Sequence, residues 1–234
     1  MNERELSKRL AIVASYLPKK AFFADIGSDH AYLPVVVCSQ DHAAKAIAGE
    51  INEGPFQSAK KQVEKQSLEE QIEVIKGDGL SVITNQPIKQ LIIAGMGGGL
   101  IRTILDNGKD KLTTVDRIIV QPNVDAELVR IWFDQHDYVL TAEEIIKEDG
   151  HIYEILVADR QASSNPYQDK NKEYLFGPFL IREKNAAFIE KWESEQKKRE
   201  RIIAQMQQAV DLDQEKIDRL KKEIVQIEEV LGGE

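Results

Sequence analysis

The stretch Phe22-Phe23-Ala24-Asp25-Ile26-Gly27-Ser28-Asp29-His30 decides how the rest of the chain is read. A short, mostly apolar run ends in a glycine and then in polar residues. This is the pattern of a buried strand turning sharply into a helix, with Gly27 letting the backbone come close to a ligand. The helix is expected to open near Tyr32, with Pro34 in its first turn, where a missing N–H costs nothing. Upstream, Leu6, Leu10, Val13, Ala14 and Leu17 recur at helical spacing, and Pro18 ends that helix. Downstream, apolar runs at 46–50, 72–75, 91–94 and 117–121 alternate with amphipathic stretches, among them 55–66 and 124–135. The alternation predicts an α/β fold with a mainly parallel sheet. Residues 138–146 and 151–158 are β-rich and are joined by Glu148-Asp149-Gly150, a hairpin turn. Five strand–helix units closed by a hairpin match the class I methyltransferase order, a Rossmann-like sheet.

Composition shifts after Asp159. Ser163-Ser164-Asn165-Pro166 is a linker signal. Residues 1–160 are therefore expected to form a cofactor-binding catalytic domain, and residues 161–234 a linker and a helical coiled-coil domain. A long helical region is expected from about 181 to 231. With Ile189 as position a, the a and d positions run Ile189, Trp192, Gln196, Arg199, Ile203, Met206, Val210, Asp213, Ile217, Leu220, Ile224, Ile227 and Leu231. Ten of these thirteen are apolar, the pattern of a coiled coil. One straight helix of ~50 residues would extend ~75 Å and would need a partner chain. Asp211-Leu212-Asp213 interrupts it and offers a turn with a fresh N-cap. An antiparallel hairpin within a monomer is expected, with dimerisation through a continuous coiled coil as the other arrangement.

The chain has 234 residues, 42% hydrophobic and 30% charged, which supports a packed core and argues against disorder. No apolar run approaches the ~20 residues of a membrane span, and the opening MNERELSKRL lacks a signal peptide's apolar core. Cys38 is the single cysteine, which excludes a disulfide framework and a cysteine-based zinc cluster. No metal is expected, and the chain reads as cytoplasmic. A net charge of −9 speaks against non-specific nucleic-acid binding. The average hides a division, however. Residues 1–20 hold five basic residues, Arg4, Lys8 and Arg9 among them, against two acidic, while residues 211–234 hold eight acidic against four basic. Between them lies Lys197-Lys198-Arg199-Glu200-Arg201. Such groups read either as solvated helix faces or as contacts to a nucleic-acid backbone.

The chemistry is carried by acids at strand ends. Asp25 and Asp29 flank Gly27 after the first strand, where the dinucleotide fingerprint G-x-G-x-x-G is absent: positions 27, 29 and 32 are Gly, Asp and Tyr. A pyrophosphate would meet Asp29, whereas S-adenosylmethionine has no phosphate and carries a sulfonium and an ammonium that suit acids. Glu50 ends the second strand, where a ribose-binding acid belongs. Asp78, in Gly77-Asp78-Gly79-Leu80, follows the third strand, where a carboxylate can take the adenine amino group. Each acid alone is an ordinary strand-end or turn residue. Three of them at the C-terminal ends of consecutive strands mark the ligand crevice of an open α/β sheet.

The motifs Asp-Ile-Gly-Ser-Asp-His-Ala-Tyr-Leu-Pro (25–34), Gly-Glu-Ile-Asn (49–52), Gly-Asp-Gly-Leu (77–80), Ala-Gly-Met-Gly-Gly (94–98) and Gln-Pro-Asn (121–123) together resemble the bacterial tRNA (adenine-22-N1)-methyltransferase family. The resemblance covers essentially the whole chain, and no departure is seen at those positions. It implies a class I enzyme that uses S-adenosylmethionine to methylate N1 of an adenine in the tRNA D-arm. Carried across, Asp25, Gly27, Ser28, Glu50, Ile51, Asn52, Asp78, Gly79, Gly95 and Met96 would line the cofactor. Asp29, His30, Tyr32 and Asn123 would face the target base, His30 either as a catalytic group or as a loop hydrogen-bond donor. Arg4, Lys8, Arg9, Lys197, Lys198, Arg199 and Arg201 would contact tRNA. The Asp-Pro-Pro-Tyr-type run of amino-methylating enzymes is replaced by Ala94-Gly95-Met96-Gly97, which suits a ring nitrogen.

Three other readings use parts of the same pattern. A small-molecule methyltransferase would share the cofactor half but would need no basic helices. A non-catalytic tRNA-binding or scaffold protein would not need acids at three strand ends. A nicotinamide oxidoreductase is disfavoured by the missing glycines.

Overall fold

The computed structural model describes residues 6–160, 165–208 and 213–233. Helix α1 (Lys8–Ser15) comes first, capped by the Ser7 hydroxyl, which accepts from the Leu10 amide. Then follow β1 (Phe22–Ile26), α2 (Tyr32–Gln40), β2 (Lys45–Glu50), α3 (Glu53–Lys65), β3 (Ile72–Lys76), β4 (Gln90–Met96), α4 (Gly98–Asn107), β5 (Arg117–Pro122) and α5 (Ala126–Gln135). The hairpin is β6 (Tyr138–Glu148) and β7 (His151–Arg160). The seven strands form one sheet in the order β3-β2-β1-β4-β5-β7-β6. The first five are parallel, and β7 inserts antiparallel between β5 and β6.

The central strands read as unbroken apolar runs because both faces are covered. Ala24, Ile26, Leu91, Ile93, Ile118 and Val120 pack on one face with α4 and α5, and Phe23, Ala46, Ala48, Ile92 and Ile119 on the other with α1, α2 and α3. Registry aligns the strand ends: Ile26 lies beside Gly49 and Ile93, and Glu50 beside Lys76. The crest therefore brings the β1–α2, β2–α3 and β4–α4 turns together.

The C-terminal part is more divided than the sequence suggests. One helix, α6 (Lys170–Phe176), was not expected; the helical region expected from about 181 opens as α7 (Leu180–Glu183). Lys184 then breaks the helix at φ 45°, and Asn185 caps α8 (Ala186–Met206), accepting from the Phe188 amide. The last helix is α9 (Gln214–Gly232). Gln196 meets Glu228, and Arg199 meets Glu223, so α8 and α9 run antiparallel, as a hairpin within the chain. Ile203, Ile217 and Leu220 fill its distal core. At its base Phe188, Trp192, Ile227 and Val230 pack with Phe176, Leu180 and Ile145 of β6. That docking explains why Ile189, an expected a position, is 41% exposed: the base of α8 turns toward the sheet. The expected turn at Asp211-Leu212 and the linker residues Ser163 and Ser164 lie outside the described residues.

A buried ion cluster ties this part to the sheet. The Arg130 guanidinium on α5 is fully buried and donates from Nε to Glu143 Oε1 at 2.6 Å and from Nη2 to Glu154 Oε2 at 2.5 Å. Its Nη1 donates to the carbonyls of Tyr174 and Leu175, and Lys191 of α8 pairs with the other Glu154 oxygen.

Candidate active site

The β1–α2 turn is held in an uncommon conformation. Gly27 has φ 68°, and a side chain there would press on the Met96 methyl. Asp29, His30 and Ala31 then follow at φ 44°, 68° and 57°, three consecutive left-handed non-glycine residues. Such strain persists only where the surroundings enforce it. Here the backbone amides of Asp29 and His30 turn toward the Glu50 carboxylate. Successive amides of this kind form an anion-binding concavity, and in this chain its anion is a side chain of β2. The place a phosphate would occupy is therefore already filled.

Two carboxylates are buried here. Burial raises the Glu50 pKa, with the two amides offsetting only part of the shift, and Glu50 Oε1 has no hydrogen-bond partner among the described residues. Asp25 is pushed up from 3.8 to about 7, first by burial and further by the nearby charges of Glu50 and Asp29. The Ser28 hydroxyl donates to Asp25 at 2.6 Å, and the Ser28 amide donates to the Gly49 carbonyl. Ser28, expected to touch a cofactor, thus spends both groups on the turn itself.

A cleft of about 780 Å³ opens beside this turn. It collects Asp25, Gly27, Ser28, Asp29, Tyr32, Gly95, Met96 and Asn123, all singled out in the sequence. Asp29 is exposed, with its carboxylate 3.4 Å from His30 Nε2, and the His30 ring lies 5.5 Å from Tyr32. Glu50, Ile51, Asn52, Asp78 and Gly79 sit on the adjacent crest, at the ends of β2 and β3. There the Gly77 amide donates to the Glu50 carbonyl, and Ile51 is an exposed apolar residue.

The basic residues divide four ways. Arg4 lies outside the described residues. Arg9 does not face outward: its guanidinium enters the cleft, lies 5.0 Å from the Tyr153 ring centre and donates to Gln121 Oε1. Arg199 is drawn into the hairpin, paired with Glu195 and Glu223. Lys8, Lys197, Lys198 and Arg201 are exposed, with Lys198 paired to Glu195.

Three groups escaped the sequence reading. Gln121 is fully buried at the end of β5 and touches Arg9, the Gly95 amide and Asn123. Glu148 accepts the Lys8 and Arg9 amides at the start of α1, a carboxylate placed at the positive end of a helix. Tyr153 forms the cleft wall under Arg9. Gln121 stood in a quoted motif, but a neutral amide gives no charge signal. No group of metal-ligating side chains occurs among the described residues.

A sheet in the order 3-2-1-4-5-7-6, with buried acids at its crest, is the arrangement of a class I methyltransferase. The match is then specific. The family description tRNA (adenine(22)-N(1))-methyltransferase, TrmK, fits residues 23–229, so the chain belongs to that family. A Bacillus subtilis tRNA (adenine(22)-N(1))-methyltransferase is 49% identical over 218 residues, 92% of each chain. The crystal structure of the B. subtilis m1A22 tRNA methyltransferase TrmK superposes with a TM-score of 0.91 at 46% identity, covering 97% of this chain and 99% of that one. The Streptococcus pneumoniae protein Sp1610, solved in complex with S-adenosyl-L-methionine, gives a TM-score of 0.86 at 39% identity, covering 97% and 100%.

Proposed function

We propose that this chain transfers the methyl group of S-adenosylmethionine to N1 of adenine 22 in tRNA, with the crest of β1–β4 as the cofactor site and the adjoining cleft as the base site. Membership of the TrmK family over 23–229 carries the assignment. The residues present fit the cofactor. Glu50 Oε1 is a buried acceptor without a donor, suited to ribose hydroxyls, and Asp25 is a buried carboxylate with no cation beside it, suited to a positively charged ligand. Asp78 and Gly79 would meet the adenine ring, Ile51 would cover it, and Asn52, Gly27, Gly95 and Met96 would line the rest. When bound, the cofactor supplies an electrophilic methyl group.

The chain's own work is then positioning. Adenine N1 has a free lone pair at neutral pH, so no strong general base is needed, and in-line placement and exclusion of water dominate. N1 lies on the Watson–Crick edge, so the base must leave its stack. Tyr32 or Pro122 would stack on it. The exposed Asp29 carboxylate would stabilise the cationic ring as charge develops, with His30 beside it as a loop partner. Asn123 would accept from the exocyclic amine.

We further assign residues 1–160 to catalysis and 161–234 to holding the tRNA, with Lys8, Lys197, Lys198 and Arg201 available to phosphates. The a and d residues Trp192, Ile203, Ile217, Leu220 and Ile227 are buried within the chain, which supports a monomer. No helix among the described residues is long and apolar enough to cross a membrane, and a tRNA substrate places the enzyme in the cytoplasm.

The test is nucleoside mass spectrometry of unmodified tRNA incubated with the protein and labelled cofactor. One labelled 1-methyladenosine is expected, lost when position 22 is changed. Label elsewhere, or none, overturns the assignment.

A further inference from the structure

Arg9, Gln121 and Asn123 form a chain of hydrogen bonds whose direction cannot reverse. The Arg9 guanidinium and the Gly95 amide can only donate, and both meet the same atom of Gln121, the amide at 3.2 Å. That atom must be the oxygen. The other end of the Gln121 amide is then the nitrogen, and it donates to Asn123 Oδ1 at 3.0 Å. Asn123 Nδ2 in turn donates to the Gly95 carbonyl at 2.8 Å, a group that can only accept. Amide orientations are normally a matter of choice between two alternatives. Here a cation at one end and two backbone groups leave one arrangement.

Both ends of the chain are anchored. Gln121 is fully buried in β5, and the Asn123 backbone N–H donates to the Met96 carbonyl at 2.8 Å. Arg9 is placed by α1, whose first amides are held by Glu148, and by the Tyr153 ring. Its charge is directed at a neutral amide oxygen and an aromatic face, which serves orientation better than charge balance.

We propose that Arg9 and Gln121 are positioning residues for base selection: together they fix the Asn123 amide so that Oδ1, with its second lone pair, meets an N–H donor on the target base. This rests on the cleft being the base site. An exocyclic amine beside the ring nitrogen satisfies Oδ1. A carbonyl in the same place, as in guanine, sets two acceptors against each other, a mismatch that discriminates strongly in a water-poor site. With the relay broken, the Asn123 side-chain amide keeps only its bond to the Gly95 carbonyl, its hold loosens and the distinction weakens.

The test compares methylation of two tRNAs, one with adenine at position 22 and one with purine, which lacks the exocyclic amine. Gln121→Glu keeps the oxygen that receives Arg9 and Gly95 but replaces the donor facing Asn123 with an acceptor. Arg9→Met removes the cation, and Arg9→Lys retains a donor. The lower nucleophilicity of purine is common to every enzyme and cancels when the ratio of the two rates is compared between variant and native protein. The adenine-over-purine preference is expected to fall about tenfold in Gln121→Glu, one hydrogen bond's worth, and by less in Arg9→Met, where the Gly95 amide still holds the Gln121 oxygen. Arg9→Lys should stay near the native preference, and calorimetric S-adenosylmethionine affinity should hold within about twofold throughout. An unchanged preference in the two disruptive variants overturns the relay, and if Gln121→Glu does not fold, Arg9→Met decides alone. Failure of the native enzyme on the adenine tRNA would instead sink the functional assignment.

Discussion

Two pairs of carboxylates are buried in this protein, and they have opposite surroundings. Glu143 and Glu154 share the Arg130 guanidinium, and Glu154 also receives Lys191. Burial keeps Glu143 raised despite Arg130, whereas at Glu154 Lys191 and Arg130 together outweigh burial and hold the pKa low. Asp25 and Glu50 have no such cation. Burial leaves both pKa values raised, and one Glu50 oxygen has no partner. The first pair is finished within the chain and is architecture. The second is left unfinished, which is what a polar ligand needs in order to supply the missing donors.

If that contrast is right, the two regions fail differently. The largest effect is expected from Arg130→Met, which strips the cation from two buried carboxylates. It should cost about 3–5 kcal/mol and lower the melting temperature by roughly 6–20 °C, seen by calorimetric unfolding. A stable Arg130→Met protein would place the cluster among the ion pairs that packing can replace. Glu50→Gln comes next. Cofactor affinity should fall by about 2 kcal/mol for the lost charge-assisted bonds, while the melting temperature holds or rises. A fall in stability instead would make Glu50 structural.

Asp25 gives a smaller, pH-dependent signature. Its folded-state pKa, about 7, lies above the ordinary 3.8, so the folded chain keeps a proton that the unfolded chain has released. The stability it contributes is complete below about pH 4 and is lost as pH rises toward 7. Asp25→Asn should flatten that slope in unfolding measurements. A cationic ligand favours the ionised form, so native cofactor binding below pH 7 should release a proton, detectable by titration in buffers of different ionisation enthalpy, and Asp25→Asn should release none. The smallest effects lie on the hairpin. Charge reversal of Lys197 or Arg201 should weaken tRNA binding a few-fold and make its salt dependence shallower by about one unit per lost phosphate contact. Arg199→Ala should loosen the hairpin instead, because its charge is already spent on Glu195 and Glu223.

The central sheet was legible because strands buried on both faces must be apolar along their length, and Gly27, Gly95 and Gly150 punctuate them. The antiparallel hairpin of α8 and α9 was legible from its heptads, in which the polar a and d residues Gln196 and Arg199 pair across to Glu228 and Glu223. Helix α6 was not, since seven residues with three charges have no readable period, and neither was the break at Lys184, an ordinary lysine in a left-handed conformation. At the site, acids at strand ends announced themselves by position. The direction taken by Arg9 did not: an arginine on an N-terminal amphipathic helix looks solvated until Gln121 and Tyr153, more than a hundred residues later, are brought beside it.

The grip of Glu148 on the first turn of α1 has a consequence in time. Donor and acceptor are 140 residues apart. At 5–20 residues per second, a ribosome making this chain completes the carboxylate about 7–28 s after the helix it will hold. One wall of the cleft is thus synthesised well before the residue that secures it, and a nascent chain that has not yet reached Glu148 lacks a closed pocket.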